Sequence, residues 1–519
     1  MDRKKDCQTL MAERLVNWFL RKIKIYRVPL LASVIVGALC YMFAFTNKLV
    51  NHDDVAALFS KGITTSSGRW GLDLLSYILP DCSLPWFHGV ITIILVAVSI
   101  CAMVNIYSIH NKLLQALLAG SVIAFPSLIG TFSYMFTSSS YGISFFLSVF
   151  AVYLLRSQPK KLFLPALVCM VLSLGIYQAY VAIAASFLVL ILIQRILYEE
   201  DVRSVIRVGI LYVAFLLLSL VFYYGVTQLI LTYSGSQFNS YAMGAMKFDC
   251  ASILKGIKLA YLNICYFFVY HLHVLNLTKF SIAVHRICAV ATFLLLFVWE
   301  LAQNKHSVSR FFLLLALITV LPLAINCMYL LVDADAVHAL VLYSYIAIYI
   351  LAVIIAQACL PLLLHRRSFE FIRRIAINVI ALGMVAAVLN NIYIANKNFF
   401  RLYLRYENAY CFYTSLVASL HTMPEFDEST SIAVIGQYED PEFYKYQFDN
   451  EMLTGFDGFT PNQYSKQFFL EYYLGISVPF ASQAECDKIA SSQEYSEMAV
   501  YPYYGSIKMI GDVLVVKLS

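Results

Sequence analysis

The sequence predicts a polytopic α-helical membrane protein with about 11 transmembrane helices and a small C-terminal α/β domain outside the membrane. Of its 519 residues, 61% are apolar and 13% are charged, and the mean hydropathy is +0.73. Soluble domains contain about 45–50% apolar and about 25% charged residues, so this composition excludes a soluble globular protein. Apolar stretches of membrane-spanning length recur up to about residue 395, and a polar tail follows them.

The apolar stretches are each close to the roughly 20 residues that a helix needs to cross a bilayer. A window of about 19 residues locates them. The predicted spans are 28–46, 88–109, 113–132, 141–155, 162–176, 179–198, 205–230, 282–303, 311–331, 337–358 and 375–395.

Two regions interrupt this pattern. The stretch 162–198 is too long for one crossing, and Tyr177-Gln178 places polar atoms in its middle, which predicts two short spans joined by a tight turn. The segment 258–277 is aromatic but carries polar side chains, and we predict a re-entrant or interfacial helix that does not cross.

Lys and Arg residues set the predicted orientation. They cluster before the first span and in the loops that start near Arg156, Arg195, Lys305 and Arg366. Cytoplasmic loops are rich in these residues, and the clusters share one side of the membrane if 258–277 does not cross. The predicted domains are a cytoplasmic N-terminus 1–27, a transmembrane domain 28–395 with external loops 47–87 and 231–281, and an extracytoplasmic C-terminal domain 396–519.

Charge and cysteine content give no sign of nucleic-acid or metal binding. The net charge of +6 combines basic loops with an acidic tail, without a basic stripe for nucleic acid. The 12 cysteines are scattered, without metal-ligand spacing. Asp333, Asp335 and His338 share a turn that could bind a divalent cation, but this signal is weak and we predict no metal and no cofactor.

The tail has the pattern of a small α/β fold. Residues 398 to about 420 predict a helix, 431–436 predict a strand, 462–474 and 482–493 predict helices, and 507–517 predict a hairpin that turns at Gly511-Asp512. A domain of this size can bury a core of its own. It could cap a cavity of the membrane domain or hold an acceptor, or it could be an appendage without a part in the chemistry.

The loop 47–87 contains the densest group of reactive side chains. Asp53 and Asp54 follow the first span, and Arg69 and Trp70 come shortly after them. Transfer of a sugar from a lipid phosphate needs a base for the acceptor hydroxyl, a cation for the departing phosphate and aromatic walls for the sugar. One aspartate, Arg69 and Trp70 supply these three types of group. The alternative is that the two acids only solvate the end of a span.

Other polar residues are candidates for substrate contact. Tyr177 and Gln178 occupy a turn between spans, where they could contact the donor or stabilise the turn. The second long loop carries side chains that could meet a phosphate or anchor the loop at the interface, namely Lys247, Lys255, His271 and His273.

Four short motifs together resemble a known family. They are Asn51-x-Asp53-Asp54, Gly68-Arg69-Trp70, Ile176-Tyr177-Gln178, and a tail in which Tyr501-Pro502-x-x-Gly505-Ser506-Ile507 precedes Val515-Val516-Lys517-Leu518. This arrangement is similar to that of the Gtr-type (GtrII-like) glucosyltransferases, bacterial membrane enzymes of the GT-C class that modify O-antigen and related surface glycans. The resemblance spans most of the chain.

The resemblance implies a GT-C-like fold in the bacterial cell membrane. It implies a polyprenyl-phosphate-linked sugar donor, with glucose as the sugar, and a surface glycan as the acceptor on the outer face of the bilayer. The catalytic acid of the first external loop would be Asp53 or Asp54. We predict Asp53 as the base, Asp54 as its partner and Arg69 as the phosphate contact.

Two other functions compete with glycosyl transfer. A flippase for lipid-linked glycans predicts inverted repeats and acids near the bilayer midplane, but no convincing repeat is present and acids within the spans are few. A polysaccharide polymerase or ligase would depend on Arg and His residues of a large external loop, and the loop 231–281 keeps this alternative open.

Overall fold

The computed structural model describes most of the chain, and helices dominate it. The described residues are 11–47, 49, 51–60, 64–80, 82–198, 201–238, 250–270, 272–275, 277–301, 308–333, 337–361, 370–427, 429–436, 456–457, 460–461 and 465–519.

Within these residues, nine helices are long and apolar enough to cross a membrane. Two of them begin with a 3-10 turn, at Gln178–Tyr180 and at Ala339–Tyr345. The nine are α2 (Arg27–Thr46), α5 (Pro85–Ile106), α8 (Met135–Ser157), the span Gln178–Leu197 with α10 (Val181–Leu197), α11 (Val202–Ser234), α13 (Lys279–Leu301), α14 (Val308–Ile325), the span Ala339–Cys359 with α15 (Ile346–Cys359), and α16 (Glu370–Leu420).

Two predicted spans are not single full-length helices. The segment 113–132 is a bent pair, α6 (Lys112–Ile123) and α7 (Pro126–Ser133), with 41° between them, which raises the number of candidate spans to ten if it counts as one. Pro126 opens α7 at a position where proline costs no hydrogen bond. The segment 162–176 is α9 (Phe163–Ile176), whose 14 residues fall short of the length of a crossing.

The predicted re-entrant segment forms a helix that starts earlier than the sequence indicated. This helix, α12 (Cys250–Phe268), is not among the nine candidate spans of the described chain. It packs against α14 and against the 3-10 turn Cys327–Leu330. Gly256 permits this contact, because a Cβ atom there would lie 2.2 Å from the carbonyl oxygen of Tyr329.

The helix α16 continues far beyond the predicted end of the last span at residue 395. Its 51 residues span about 75 Å at 1.5 Å per residue, more than twice the roughly 30 Å of a bilayer core. The helix predicted from Asn398 to Leu420 is therefore the end of the same helix rather than a separate element.

The C-terminal residues form a small mixed sheet with helices. The sheet has the order β1-β5-β4, with β1 (Ser431–Ile435) parallel to β5 (Val513–Lys517) and β4 (Ile507–Ile510) antiparallel to β5. Gly511 supplies the positive φ of +59° in the β4–β5 turn, as glycine does without steric cost. The other elements are β2 (Phe456–Asp457), β3 (Thr460–Pro461), α17 (Lys466–Leu474), α18 (Gln483–Ala490) and α19 (Gln493–Ser496).

The C-terminal elements pack on the distal half of α16. Phe469 of α17 is fully buried, and its ring centroid lies 6.1 Å from that of Tyr406 and 5.6 Å from that of Tyr413. In the bundle itself, α5 packs along α8, α2 lies against α5 and α6, and α13 lies against α16.

Candidate functional site

The two adjacent aspartates lie on a short helix that its own sequence caps. The helix α3 (His52–Ala56) starts after Asn51, whose Oδ1 accepts a hydrogen bond from the N–H of Asp54 at 2.8 Å. Asparagine is a preferred N-cap because it satisfies a free backbone donor of the first turn. The cap fixes the helix start, so the side chains of Asp53 and Asp54 leave α3 about 100° apart.

Asp54 points into the protein and is 1% exposed. Its Oδ1 accepts a hydrogen bond from the backbone N–H of Phe136 at 3.0 Å, and the Ser83 hydroxyl lies 2.8 Å from Oδ1 and 3.0 Å from Oδ2. Phe136 belongs to the first turn of α8, where free N–H groups and the helix dipole favour a carboxylate. Burial nevertheless raises the pKa of Asp54 to about 7, against the lowering effect of these hydrogen bonds.

Asp53 has the opposite environment. Its side chain is 42% exposed, and its Oδ1 lies 3.5 Å from Nε2 of His52. This ion-pair distance is long, so His52 can orient the carboxylate without covering it. Of the two acids, Asp53 is the one that a solvent-borne hydroxyl group can reach.

Arg69 contacts two tyrosines. The preceding Gly68 has a φ of +75° and ends the 3-10 turn Thr65–Ser67, and it thereby turns the chain into α4 (Trp70–Leu75). Nη1 of Arg69 donates to the Tyr141 hydroxyl at 3.2 Å, and its guanidinium carbon lies 5.5 Å from the centre of the Tyr177 ring. Cation–π contact and hydrogen bonding together fix the plane of the guanidinium.

A row of aromatic rings links Arg69 to the aspartates. The Tyr141 and Tyr177 rings stack at 4.3 Å, and Tyr134 lies close enough to interact electrostatically with Tyr177. The Tyr134 ring is 6.4 Å from the ring of His52, which adjoins Asp53. The acids, the cation and the aromatic wall therefore occupy one region of the molecule.

Several residues of this region escaped the sequence analysis. Tyr141 lies on α8, but Tyr134 is the non-helical residue between α7 and α8, so their helical spacing of seven residues was not a usable signal. Ser83 and Phe136 carried no signal, because one bonds through a common hydroxyl and the other through its backbone.

Gln178 has a structural contact that accounts for its polarity. Its Nε2 donates to the Ser67 carbonyl at 3.1 Å and lies 2.9 Å from the Tyr223 hydroxyl, and this hydroxyl donates to the Gly68 carbonyl at 3.0 Å. Gln178 and Tyr223 thus hold the loop that carries Arg69 against α11.

Trp70 is packed rather than open. It is 9% exposed, and its indole N–H donates to the Thr227 hydroxyl at 3.2 Å. A Cβ atom on Gly175 would lie 2.4 Å from the indole, so the ring fills the space that this glycine leaves on α9. Its geometry indicates anchoring of α4 to α9 and α11, whereas the sequence analysis predicted a wall for the sugar.

The structure describes only some of the remaining residues predicted from the sequence. Lys247, His271 and Asp335 lie outside the described residues, and for His273 only the backbone, in a 3-10 turn, is described. His338 lies near His52 and thus near the aspartates, and desolvation together with this neighbour lowers the pKa of His338. Lys255 and Asp333 line a separate cavity of about 80 Å³ beside α12.

A metal site is not evident in the described part of the chain. No group of three or more His, Cys, Asp or Glu side chains there has a geometry that could hold an ion.

The C-terminal segment reaches the same region. The rings of Tyr472 on α17 and Phe59 are 5.2 Å apart, edge to face. Tyr473 is partly buried near Asp54, and its desolvation, with a smaller effect of this carboxyl group, raises the pKa of Tyr473. The helix α17 therefore packs beside α3 on the side of Asp54.

Fold and site together define a multi-pass helical membrane protein with two acids, a cation and a row of aromatic rings in one region beside its helix ends. Residues 42–356, more than half of the chain, match the family described as Glucosyl transferase GtrII. The chain belongs to this family and is a glycosyltransferase. Comparison of the chain with curated proteins and with solved structures found no match.

Proposed function

We propose that this glycosyltransferase moves a glucosyl group from polyprenyl phosphate to a cell-surface glycan on the outer face of the bacterial membrane. The observation that carries the proposal is the contrast between two adjacent acids. Asp54 is buried and bonded to α8, whereas Asp53 is exposed in the region that also contains Arg69. One acid is thus available for proton transfer, and the other holds it in position.

In the proposed reaction, the Asp53 carboxylate takes the proton of an acceptor hydroxyl group. The hydroxyl oxygen attacks the anomeric carbon of the donor, and the bond from this carbon to the phosphate oxygen breaks. The electron pair of the broken bond leaves with the polyprenyl phosphate. No nucleotide is needed, because the sugar phosphate of the donor is already activated, and general-base catalysis contributes about 10²–10⁴-fold.

Arg69 is the proposed contact for the departing phosphate. Its guanidinium is fixed by the Tyr141 hydroxyl and the Tyr177 ring, so little freedom is lost when it binds an anion. Preorganised donors aimed at developing charge are an effective means of lowering a reaction barrier. The partly exposed ring of Tyr134 would serve as the wall for the sugar, a role that the sequence analysis assigned to Trp70.

Asp54 is proposed as a positioning residue. Its bonds to Ser83 and to the Phe136 N–H connect α3 to the first turn of α8. Because Asp53 precedes it on the same helix turn, any shift of Asp54 displaces the base. The cap at Asn51 restrains the same turn from the other end.

The wider architecture of the proposal is a GT-C-like membrane domain. It comprises about eleven spans, counting α9 and the bent pair, with the N-terminus in the cytoplasm and residues 396–519 outside. Contact of α17 with Phe59 supports a role of this C-terminal domain beside the site, where it could hold the acceptor. A reporter fused after Ser519 is expected to be active only outside the cytoplasm, and cytoplasmic activity would refute this orientation.

Donor dependence tests the function itself. Membranes that contain the protein are supplied with radiolabelled polyprenyl-phosphate glucose or, in parallel, with a nucleotide-activated glucose, and glycan-bound label is counted. The proposal expects transfer from the lipid donor alone. Transfer from the nucleotide donor in membranes that lack polyprenyl phosphate would contradict it.

A further inference from the structure

The first described helix, α1 (Met11–Ile25), has no part in the site. It ends at Ile25, and the single residue Tyr26 separates it from the first span, α2, which begins at Arg27. The Tyr26 hydroxyl accepts a hydrogen bond from Nδ2 of Asn105 at 2.5 Å, near the end of α5. The C-terminal end of α1 therefore lies where α2 begins and α5 ends, which is the level of the membrane surface.

The sequence of α1 separates charge from apolar side chains. Arg14, Asn17, Arg21 and Lys24 are spaced by three or four residues and form one polar stripe. In total the helix carries four basic residues and one acidic residue, Glu13. The side away from the stripe is apolar, as in helices that lie in a membrane interface.

The apolar side of α1 lies against little of the protein. Leu15 is 66% exposed, Trp18 56% and Leu20 55%. An isolated helix of this length is marginal in water, so contact with another phase must stabilise it. Lys22 lies with its Nζ 5.8 Å from the centre of the Trp18 ring, a pairing that suits the boundary between headgroups and acyl chains.

We propose that α1 is a lipid-binding helix that lies in the surface of the leaflet where the first span begins and binds anionic phospholipid headgroups. The apolar side enters the acyl boundary, and the basic residues meet the headgroup phosphates. Charge complementarity selects this occupant, because the stripe is basic and the helix already adjoins a span. The inference is independent of the donor and of the catalytic residues.

The test uses the full-length protein in nanodiscs that hold one chain each, made of phosphatidylcholine with or without phosphatidylglycerol. Hydrogen exchange of residues 11–25 is followed by mass spectrometry. Three variants are compared with the original chain. The triple variant Arg14→Gln, Arg21→Gln and Lys24→Gln removes the charge of the polar stripe. The double variant Val16→Glu and Ile23→Glu disrupts the apolar side. The control, Lys160→Gln with Lys161→Gln, changes an exposed basic pair outside α1.

The proposal expects exchange in α1 to be at least about fivefold slower with phosphatidylglycerol than without it. The triple variant should lose this lipid dependence, the Val16/Ile23 variant should exchange fast in both lipids, and the Lys160/Lys161 control should behave like the original chain. Equal protection of the original chain in both lipids would overturn the proposal. If α1 is unprotected in discs with one chain and becomes protected only in discs with two chains, the proposal is also overturned, because a second copy of the chain would then cover α1.

Discussion

Asp54 accepts a hydrogen bond from the backbone N–H of Phe136 at 3.0 Å, and this bond joins two segments that are 82 residues apart. The Ser83 hydroxyl bonds to the same carboxylate. Asp54 thereby occupies the position of a capping residue for α8 although it belongs to α3. The exposed acid of the site, Asp53, is held by this connection.

The first prediction concerns the connection itself. Asp54→Ala leaves the Phe136 N–H and the Ser83 hydroxyl without their buried acceptor, which costs about 1–3 kcal/mol, and should lower both the thermal stability and the transfer rate. Asp54→Asn keeps an acceptor oxygen and should retain more of both. Thermal unfolding in detergent and sugar transfer in membranes measure the two effects. Equal loss of thermal stability and of transfer rate in the two variants would show that these hydrogen bonds do not determine either quantity.

The second prediction concerns pH. Burial raises the pKa of Asp54 from its ordinary value of 3.8 to about 7, so between these values the folded protein holds a proton that the unfolded chain has lost. The contribution of Asp54 to the free energy of unfolding is therefore fully present below about pH 4 and falls as the pH rises towards about 7. The unfolding temperature of the original chain should fall relative to that of Asp54→Asn across this range. A constant difference would contradict the raised pKa.

The third prediction concerns Arg69. Arg69→Lys keeps the charge but loses the planar group that stacks on Tyr177 and bonds to Tyr141, and it should lower kcat/KM for the lipid donor by at least about tenfold. Tyr141→Phe removes only the hydroxyl acceptor, which should cost about 0.5–1.5 kcal/mol of barrier. Steady-state kinetics with varied donor measures both. A donor kcat/KM that is unaffected in Arg69→Lys would exclude the phosphate contact.

The fourth prediction tests the packing of Trp70. Gly175→Ala places a Cβ atom 2.4 Å from the Trp70 ring, whereas a Cβ atom on Gly225 of α11 would have nothing within 4 Å. Overpacking costs about 1–3 kcal/mol, so Gly175→Ala should lower the unfolding temperature. Gly225→Ala is the matched control and should leave it unchanged or raise it, since alanine favours a helix by about 1 kcal/mol. Equal stability of the two variants would mean that Trp70 is not packed in this way.

Hydropathy was sufficient to locate the helices of the membrane domain. In the described part of the chain, nine of the eleven predicted spans coincide with a long apolar helix, because long apolar runs have few alternatives in lipid, whereas 113–132 is the bent pair α6 and α7 and 162–176 is the short helix α9. The break at Tyr177-Gln178 was also predictable from its polarity and is present as a 3-10 turn at Gln178–Tyr180. The sequence predicted a helix from Asn398 to about Leu420 but not its continuity with the last span, because hydropathy falls near Asn398.

The site was predictable in its composition but not in its geometry. The sequence placed Asp53, Asp54 and Arg69 in one loop and pointed to Tyr177, and all four lie in one region. It could not tell which acid is buried, because this depends on Phe136 and Ser83, whose contacts are made through a backbone N–H and a common hydroxyl. Trp70 and Gln178 make packing and loop-anchoring contacts, and sequence periodicity cannot separate such contacts from ligand contact.

The most direct measurement is the rate of glucose transfer from polyprenyl-phosphate glucose by the Asp53→Asn variant, at matched protein level in membranes. The control is Asp512→Asn, the same change at an exposed acid of the β4–β5 turn. The account predicts that Asp53→Asn loses at least about a hundredfold in rate, with an unchanged unfolding temperature, and that Asp512→Asn transfers at the original rate. Full transfer by Asp53→Asn would contradict the assignment of Asp53 as the base.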